Sequence, residues 1–595
     1  MPTPTGEPEN VSLPSAARRL LSSLRRHPPD LRRLGPKVLR AWRASGWRGF
    51  KLWADDRLRE YRDRTAYREW VERHDTLTDA DRRRIAELSE ALPRKPLISV
   101  LMPVYNVDEV WLRLALESVL RQLYTRWELC VADDRSTKPH VRRVLEEYAA
   151  RDERVRVVFR EENGHISRAS NSALEMARGE YVALLDHDDE LAEHALYLVA
   201  REINAHPEAD LIYSDEDIIE DGARVAPFFK PDWSPDFFLS LNMISHLGVY
   251  RTSLVRDIGG FREGYEGSQD YDLALRVTER VPASHVRHIP HILYHWRRIP
   301  GSVALGAGEK EYAHSAARRA IASHLERRGV GAEAADGPGV LHRVVYPVPS
   351  PPPLVSLILA AQGGEAVEAL LARTDYEAVE VLLIDEATPA LMNAAAAGAR
   401  GELLCVMAEP LRPADGGWLW EMAGQALRHE IGVVGAKILR PDDTIGHAGL
   451  ILGAGGVAAP AHEGFLGRSF GHNARTRVTQ NFSAVSGACL VTRRAVFDEA
   501  GGFDASGLPR LYWDVDFCLR VRARGYRVLW TPYAELYETR ALNRTAAPPE
   551  GPEAARIKGR WGDLLADDPY YNPNLSLERA DFAVAVPPRF EKPWA

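Results

Sequence analysis

Short apolar runs that end in carboxylates recur along this chain, and they restrict it to an α/β architecture. The sharpest is Tyr181 to Leu185, which runs straight into Asp186-His187-Asp188-Asp189-Glu190. A run of that length without alternation reads as a strand covered on both faces. Its carboxyl end is where open α/β sheets bind ligands. Asp186, Asp188 and Asp189 repel one another unless a cation lies among them, and hard oxygen ligands at that spacing suit Mg²⁺ or Mn²⁺ carrying a substrate phosphate. The plainer alternative is an acidic surface loop.

The stretch before it carries the same pattern. Leu97 to Asn106 reads as a strand ending in a turn, and Asp108 as the cap of a helix with Trp111, Leu112, Ala115, Leu116, Val119 and Leu120 on its apolar face. Trp127 to Ser136 is a second strand ending in acid, at Asp133 and Asp134. A helix over 139–150, a strand at Val155 to Phe159 and a helix from Arg168 to Arg178 follow. Strands alternating with helices imply a parallel sheet with ligand chemistry at the strand ends.

A net charge of -8 argues against nucleic acid as a partner. The start of the chain departs from that balance. Residues 1 to 50 carry ten basic side chains against three acidic ones, and Leu31, Leu34, Val38, Trp42, Trp47, Phe50 and Trp53 are interleaved with them. This basic helical region, 1–95, suits peripheral contact with an anionic membrane surface or packing on the next domain. The four cysteines are scattered in apolar runs without C-x-x-C spacing and read as reduced core residues of a cytoplasmic protein. No apolar stretch reaches the roughly 18 residues that span a bilayer.

Four segments in order, Ser99-Val100-Leu101-Met102-Pro103-Val104-Tyr105-Asn106, Glu128 to Ser136, Ala177 to Asp189, and Gly259-Gly260-Phe261 with Ser268-Gln269-Asp270-Tyr271-Asp272-Leu273, resemble a family 2 glycosyltransferase of the GT-A fold. Tyr213 to Asp217, Phe229 to Pro235 and Leu293 to Arg297 are similar to the tandem-domain bacterial members linked to O-antigen and other surface-polysaccharide synthesis. The resemblance implies an inverting hexosyltransferase that moves a sugar from a nucleotide-sugar donor to a glycan or lipid-linked glycan acceptor. On that pattern Pro103, Tyr105 and Asn106 line the nucleotide pocket and Asp133 bonds the nucleobase. Asp186 binds the metal or the ribose, Asp188 is the metal ligand and Asp189 a weaker candidate. His295 completes the metal or diphosphate site, and Asp270 is the base that takes the acceptor's proton. Asp215, Asp217, Lys230, Trp233 and Gln269 are candidates for the acceptor or sugar pocket. A non-catalytic carbohydrate-binding or scaffold protein is the alternative.

After a helix from about Tyr312 to Arg328, Tyr346 to Pro353 reads as a stiff linker. Beyond it the pattern restarts. Leu354 to Ile358 parallels Leu97 to Leu101, Val379 to Asp385 parallels Trp127 to Asp133, and Gly501-Gly502-Phe503 with Asp514 to Arg520 parallels Gly259 to Phe261 with Asp270 to Arg276. Ala408 stands where Asp186 would, His295 aligns with Glu538, and about a helix and a strand are missing. The expected fold is therefore α/β, with two tandem GT-A (Rossmann-like) domains, the second degenerate. Their bounds are 96–305 and 354–545, with a helix and linker over 306–353 and an extended tail over 546–595.

Overall fold

The computed structural model describes residue 59 and residues 62–299, 307–539 and 550–595. The chain divides into two units, Met1–Glu69 and Trp70–Ala595. Of the first, residues 62–69 are helical. The basic stretch expected on a membrane surface, Leu31 to Trp53, lies outside the described residues. Among those described, no helix is long and apolar enough to cross a membrane.

The second unit carries two large sheets, each the centre of a lobe. In the first, β1 (Ile98–Val104), β2 (Trp127–Asp133), β3 (Val155–Phe159) and β4 (Tyr181–Leu184) run parallel in the order β3-β2-β1-β4. Helices Glu109–Leu120, Pro139–Arg151 and His165–Met176 are the crossovers. Every residue of β1 and β2 is buried, as unbroken apolar runs require when helices cover both faces. β5 (Glu190–Leu191), β6 (Leu211–Glu220), β7 (Ala223–Phe228), β8 (Gly248–Arg251) and β9 (Val286–Arg297) continue the sheet as β4-β8-β6-β9-β5, with β7 on β6. β8 is antiparallel to both neighbours, which turns the residues before it back toward the acidic end of β4.

A helix, Ala307–Arg327, and a ribbon of β10 (Glu333–Asp336) and β11 (His342–Val345) lead to the second sheet. It is built from β12 (Val355–Ala360), β13 (Val379–Ile384), β14 (Leu403–Met407), β15 (Leu411–Pro413), β16 (Ile431–Leu439) and β17 (Ile445–His447), then β20 (Gln480–Asn481), β21 (Leu490–Arg493) and β22 (Arg527–Glu538). β18 (Leu450–Leu452) and β19 (Ala458–Pro460) form a separate ribbon. The order β13-β12-β14-β21-β16-β22-β15 repeats that of the first sheet without β3, and each pairing keeps its direction.

Side-chain devices repeat with it. Ser99 Oγ donates to Glu128 and accepts from the Gly179 N–H; Ser356 Oγ donates to Glu380 and accepts from the Gly401 N–H. Both glycines are required by close approach, since a Cβ at either would lie 2.6 Å from a carbonyl of the neighbouring strand. Asn171 holds both backbone groups of Phe261, as Asn393 holds those of Phe503. Asp272 orients Arg276 onto the carbonyls of Ile258 and Gly260, and Asp516 orients Arg520 onto those of Ala500 and Gly502.

Asp236 joins the lobes. It is buried, receives Arg428 at 2.6 Å and Arg527 at 3.1 Å from the second lobe, and accepts from Asn481 Nδ2 at 2.7 Å. The tail begins with a helix, Pro552–Ala566, where the sequence reading expects extended chain throughout. Pro552 sits in its first turn, where a proline costs no hydrogen bond. Beyond it Asp568 to Ala595 is a strap. It is fixed to the second lobe through Asp568, which accepts from Ser483 and Leu452, and to the first through Asn572 and Asn574.

Candidate active site

The carboxyl ends of β2, β1 and β4 are neighbours, and they gather the expected donor-binding residues along one edge. Val104 is in register with Asp133, which is buried and accepts from the Ser136 N–H. Asn106 takes a positive φ of 46°, and its Oδ1 accepts from the N–H groups of Thr137 and Lys138, tying the β1 turn to the β2 turn. Tyr105 beside it is 46% exposed, with its ring free of the core. The Pro103 carbonyl accepts from His187 Nδ1 at 3.0 Å, which joins the same turn to the acidic loop after β4.

That loop is pinned from β9. Tyr294 Oη donates to Asp189 Oδ2 at 2.6 Å and accepts from the Asp186 N–H, while the Arg297 N–H donates to Asp189 Oδ1 and the Arg297 guanidinium to the Asp188 carbonyl. β4 and β8 pair Tyr181 with Arg251 and Ala183 with Val249. The same register carried three places further sets Asp186 opposite His246. One ligand atom each from Asp186, Asp189 and His246 lies within 4.8 Å of the others. The His246 ring is itself fixed by stacking on Tyr294 at 4.3 Å.

Electrostatics fit a cation there. Burial holds the Asp189 carboxyl well above the usual carboxylate range, and repulsion from Asp188 and Asp186 adds to it. Burial raises Asp188 too, with His187 opposing and Asp186 adding repulsion. Two carboxylates and an imidazole make a donor set suited to Mn²⁺ or Mg²⁺, and a positive charge among them removes that repulsion.

Asp270 lies in the first turn of the helix Gln269–Thr278. Its Oδ2 accepts from Asn242 Nδ2 at 2.7 Å. Burial raises its pKa, His246 opposes, and Asp186 adds repulsion, so base and acidic loop sense one another. Gln269 Oε1 beside it is buried without a hydrogen-bond partner among the described residues. Trp233 is half-buried against Phe238.

Other expected residues lie elsewhere. His295 is absent from the ligand group: its Nδ1 donates to Asp217 at 2.6 Å, and the other Asp217 oxygen takes Arg224. Asp217 is fully buried in that network. Asp215, also fully buried, accepts from the Lys230 N–H, His288 and Asn572. Lys230, expected in the acceptor or sugar pocket, has no exposed surface. The Asp188 side chain stays outside the ligand group that its neighbours Asp186 and Asp189 enter. His246 and Asn242 escape sequence reading because no motif marks the segment Leu241 to Leu247. Only the antiparallel insertion of β8 brings it to β4.

Residues 99–258 match the model described as Glycosyl transferase family 2. The chain is 44% identical over 548 residues to the uncharacterized protein y4gI of Sinorhizobium fredii, covering 85% of this chain and 60% of that one. It is 37% identical over 537 residues to the O-antigen biosynthesis protein RfbC of Myxococcus xanthus, covering 82% and 41%. A chondroitin synthase of Escherichia coli is 31% identical over 203 residues, 34% of this chain and 29% of that one. The chain thus spans about half the length of the first two relatives. The matched residues are those that build β1 to β8 and carry Asp133, Asp186, Asp189 and His246, so the likeness to glycosyltransferase family 2 rests on the lobe that holds the acidic site.

Proposed function

We propose that the chain is a metal-dependent, inverting glycosyltransferase that moves a hexosyl group from a nucleotide sugar to a glycan or lipid-linked glycan in bacterial surface-polysaccharide synthesis. The observation that carries this reading is the convergence of Asp186, Asp189 and His246 at the strand ends, with Asp270 close enough to feel Asp186. Mg²⁺ or Mn²⁺ held by those three residues would act as Lewis acid toward the departing diphosphate.

The remaining roles belong to the chain. Exposed Tyr105, with Asn106, Pro103 and Asp133 behind it, forms the floor for the nucleotide. Asp270 accepts the proton of the acceptor hydroxyl as that oxygen attacks the anomeric carbon from the face opposite the leaving group, so configuration inverts in one displacement. A raised pKa makes its carboxylate a better base at neutral pH. Asn242 donates to Oδ2 and orients the carboxylate. The unpaired Gln269 oxygen suits a second acceptor hydroxyl, and Trp233 offers an aromatic face to a sugar ring. The catalytic domain is assigned to 96–305. The second lobe, 354–545, is read as a second GT-A copy that has lost its clamp, on the strength of the repeated strand order and the three repeated devices.

The test is nucleotide release from UDP-, dTDP- and GDP-sugars, with acceptor extract, under Mn²⁺, under EDTA, and with Asp186→Ala. Release from one donor, lost under EDTA and in the variant, is the expected outcome. Absence of both turnover and calorimetric donor binding across the panel overturns it.

A further inference from the structure

Lys230 is a charged side chain with no exposed surface, and the mechanism above makes no direct use of it. Burying an ammonium costs several kcal/mol unless its protons are all satisfied, so its partners are informative. Nζ donates to the carbonyls of Ile244 at 2.7 Å and His246 at 2.5 Å, and to Glu216 Oε2 at 3.2 Å. The same Glu216 oxygen accepts from the His246 N–H at 2.9 Å. One buried ion pair thus grips His246 on both backbone sides, the N–H through Glu216 and the C=O through Lys230. The same loop carries Asn242, whose Oδ1 accepts from the Ser245 N–H while its amide donates to Asp270.

Lys230 is held in turn by the far end of the sequence. Its N–H donates to Asp215 Oδ1 at 2.9 Å, and its carbonyl accepts from Asn572 Nδ2 at 2.8 Å. That amide also donates to Asp215 Oδ2 at 2.8 Å, and Asn572 is only 2% exposed. The strap closes at the same place through the Asp232 N–H, which donates to the Pro569 carbonyl. From Asn572 to His246 the connection passes through a single residue.

We propose that Lys230 is a positioning residue for His246 and that Asn572 braces Lys230, so the strap following the second lobe sets the geometry of the site in the first. The inference rests on the metal-dependent reading for its catalytic consequence, but its structural content can be read without metal.

The experiment uses the full chain with Lys230→Met, Asn572→Ala, and the control Trp594→Leu. Trp594 donates to Asp81 at 2.9 Å, so the control loosens the strap away from Lys230. Three readouts are taken well below each variant's Tm: hydrogen exchange of the peptide spanning 242–247, Mn²⁺ affinity by calorimetry, and kcat against KM. Losing a residue that orients a metal ligand typically weakens metal binding or activity about 10–100-fold. Lys230→Met is expected to fall in that range in Mn²⁺ affinity and kcat with donor KM little changed, and to lose protection over 242–247. Asn572→Ala is expected to show the same pattern, about threefold to tenfold, and Trp594→Leu neither. Unchanged exchange and affinity in a folded Asn572→Ala, or equal losses in Trp594→Leu, overturn the proposal; Asn572→Ala decides alone if Lys230→Met does not fold. A wild type that binds no Mn²⁺ counts against the functional reading, while exchange over 242–247 still decides the positioning role.

Discussion

Asp186 and His246, which face one another across β4 and β8, have Ala408 and Ala488 as counterparts across β14 and β21. The register pairing Leu403 with Arg493 leads to them as directly as the pairing of Tyr181 with Arg251 leads to the first pair. The second lobe keeps the serine–glutamate–glycine lock, the asparagine clasp and the Asp–Arg helix anchor. What is lost is the ligand set. Asp514 persists in the first turn of its helix, but its carboxylate accepts from the Gly487 and Val515 N–H groups, and the Trp513 ring packs on Gly487. Fold and ligand set are therefore carried by separate residues, and the second lobe shares the strand order with alanines in place of Asp186 and His246.

The sharpest way to break this comparison is to change the two matching aspartates in parallel. Asp270→Asn is expected to cut kcat by about 10³-fold, within the range that a positioned general base supplies, with Tm and donor affinity retained. Asp514→Asn is expected to change kcat less than about twofold, because that carboxylate serves backbone N–H groups and faces no ligand cluster. Comparable losses of kcat in both would mean that the second lobe is catalytic.

The next effect concerns what the lobes mean to each other. Asp236 is fully buried between Arg428, Arg527 and Asn481, and although burial opposes it, the two guanidiniums hold its carboxyl down at about 2. Asp236→Ala leaves Arg428 and Arg527 with Glu430 as their one remaining carboxylate partner among the described residues and should cost about 3–5 kcal/mol in denaturant unfolding. If the lobes were independent domains touching at a surface, the loss would be under about 1 kcal/mol.

The sequence displayed the strands and the repeat because both are local signals. Unbroken apolar runs such as Leu97 to Leu101 and Trp127 to Val131 are buried strands in the structure, and the missing β3 shows in the shorter spacing from Asp385 to Ala408. The donor edge was readable for the same reason, since each of its residues ends one of those strands. The cation site was only half legible. Asp186 advertises itself in an acidic run, but His246 reaches it through an antiparallel strand inserted out of order, and no local pattern encodes that. His295 stands in a conspicuous aromatic run but is turned to Asp217 by the register of β9 on β6. Carried across the second sheet, the matching registers pair Leu439 and Arg412 with Tyr537, so the counterpart of His295 there is Tyr537 rather than Glu538. Lys230 and Asp215 looked like site residues because buried charge and surface charge are written with the same letters.

The smallest effect separates the lobes by pH. In the first sheet β6 and β9 pair Tyr213 with His288, and the His288 ring, 2% exposed, donates to Asp215 at 2.9 Å and to Asp232 at 3.0 Å. The matching pair in the second sheet is Gly435 with Trp530, which carries no charge. Burial works against the imidazolium, but the two carboxylates prevail and raise His288 to about 9. A folded-state pKa above the unfolded value of 6.5 means that the contribution is complete below pH 6.5 and is lost as pH rises through about 9. The shift corresponds to roughly 3–4 kcal/mol at most. Unfolding measured from pH 6 to pH 9.5 should therefore show a loss of that order in the wild type and a nearly flat profile in His288→Phe, which is less stable at pH 6. Because Asp215 also receives Asn572, protection over 242–247, corrected for the intrinsic rise of amide exchange with pH, should fall across the same window in the wild type. An equal pH slope in His288→Phe would place the titrating group outside the strap's anchor.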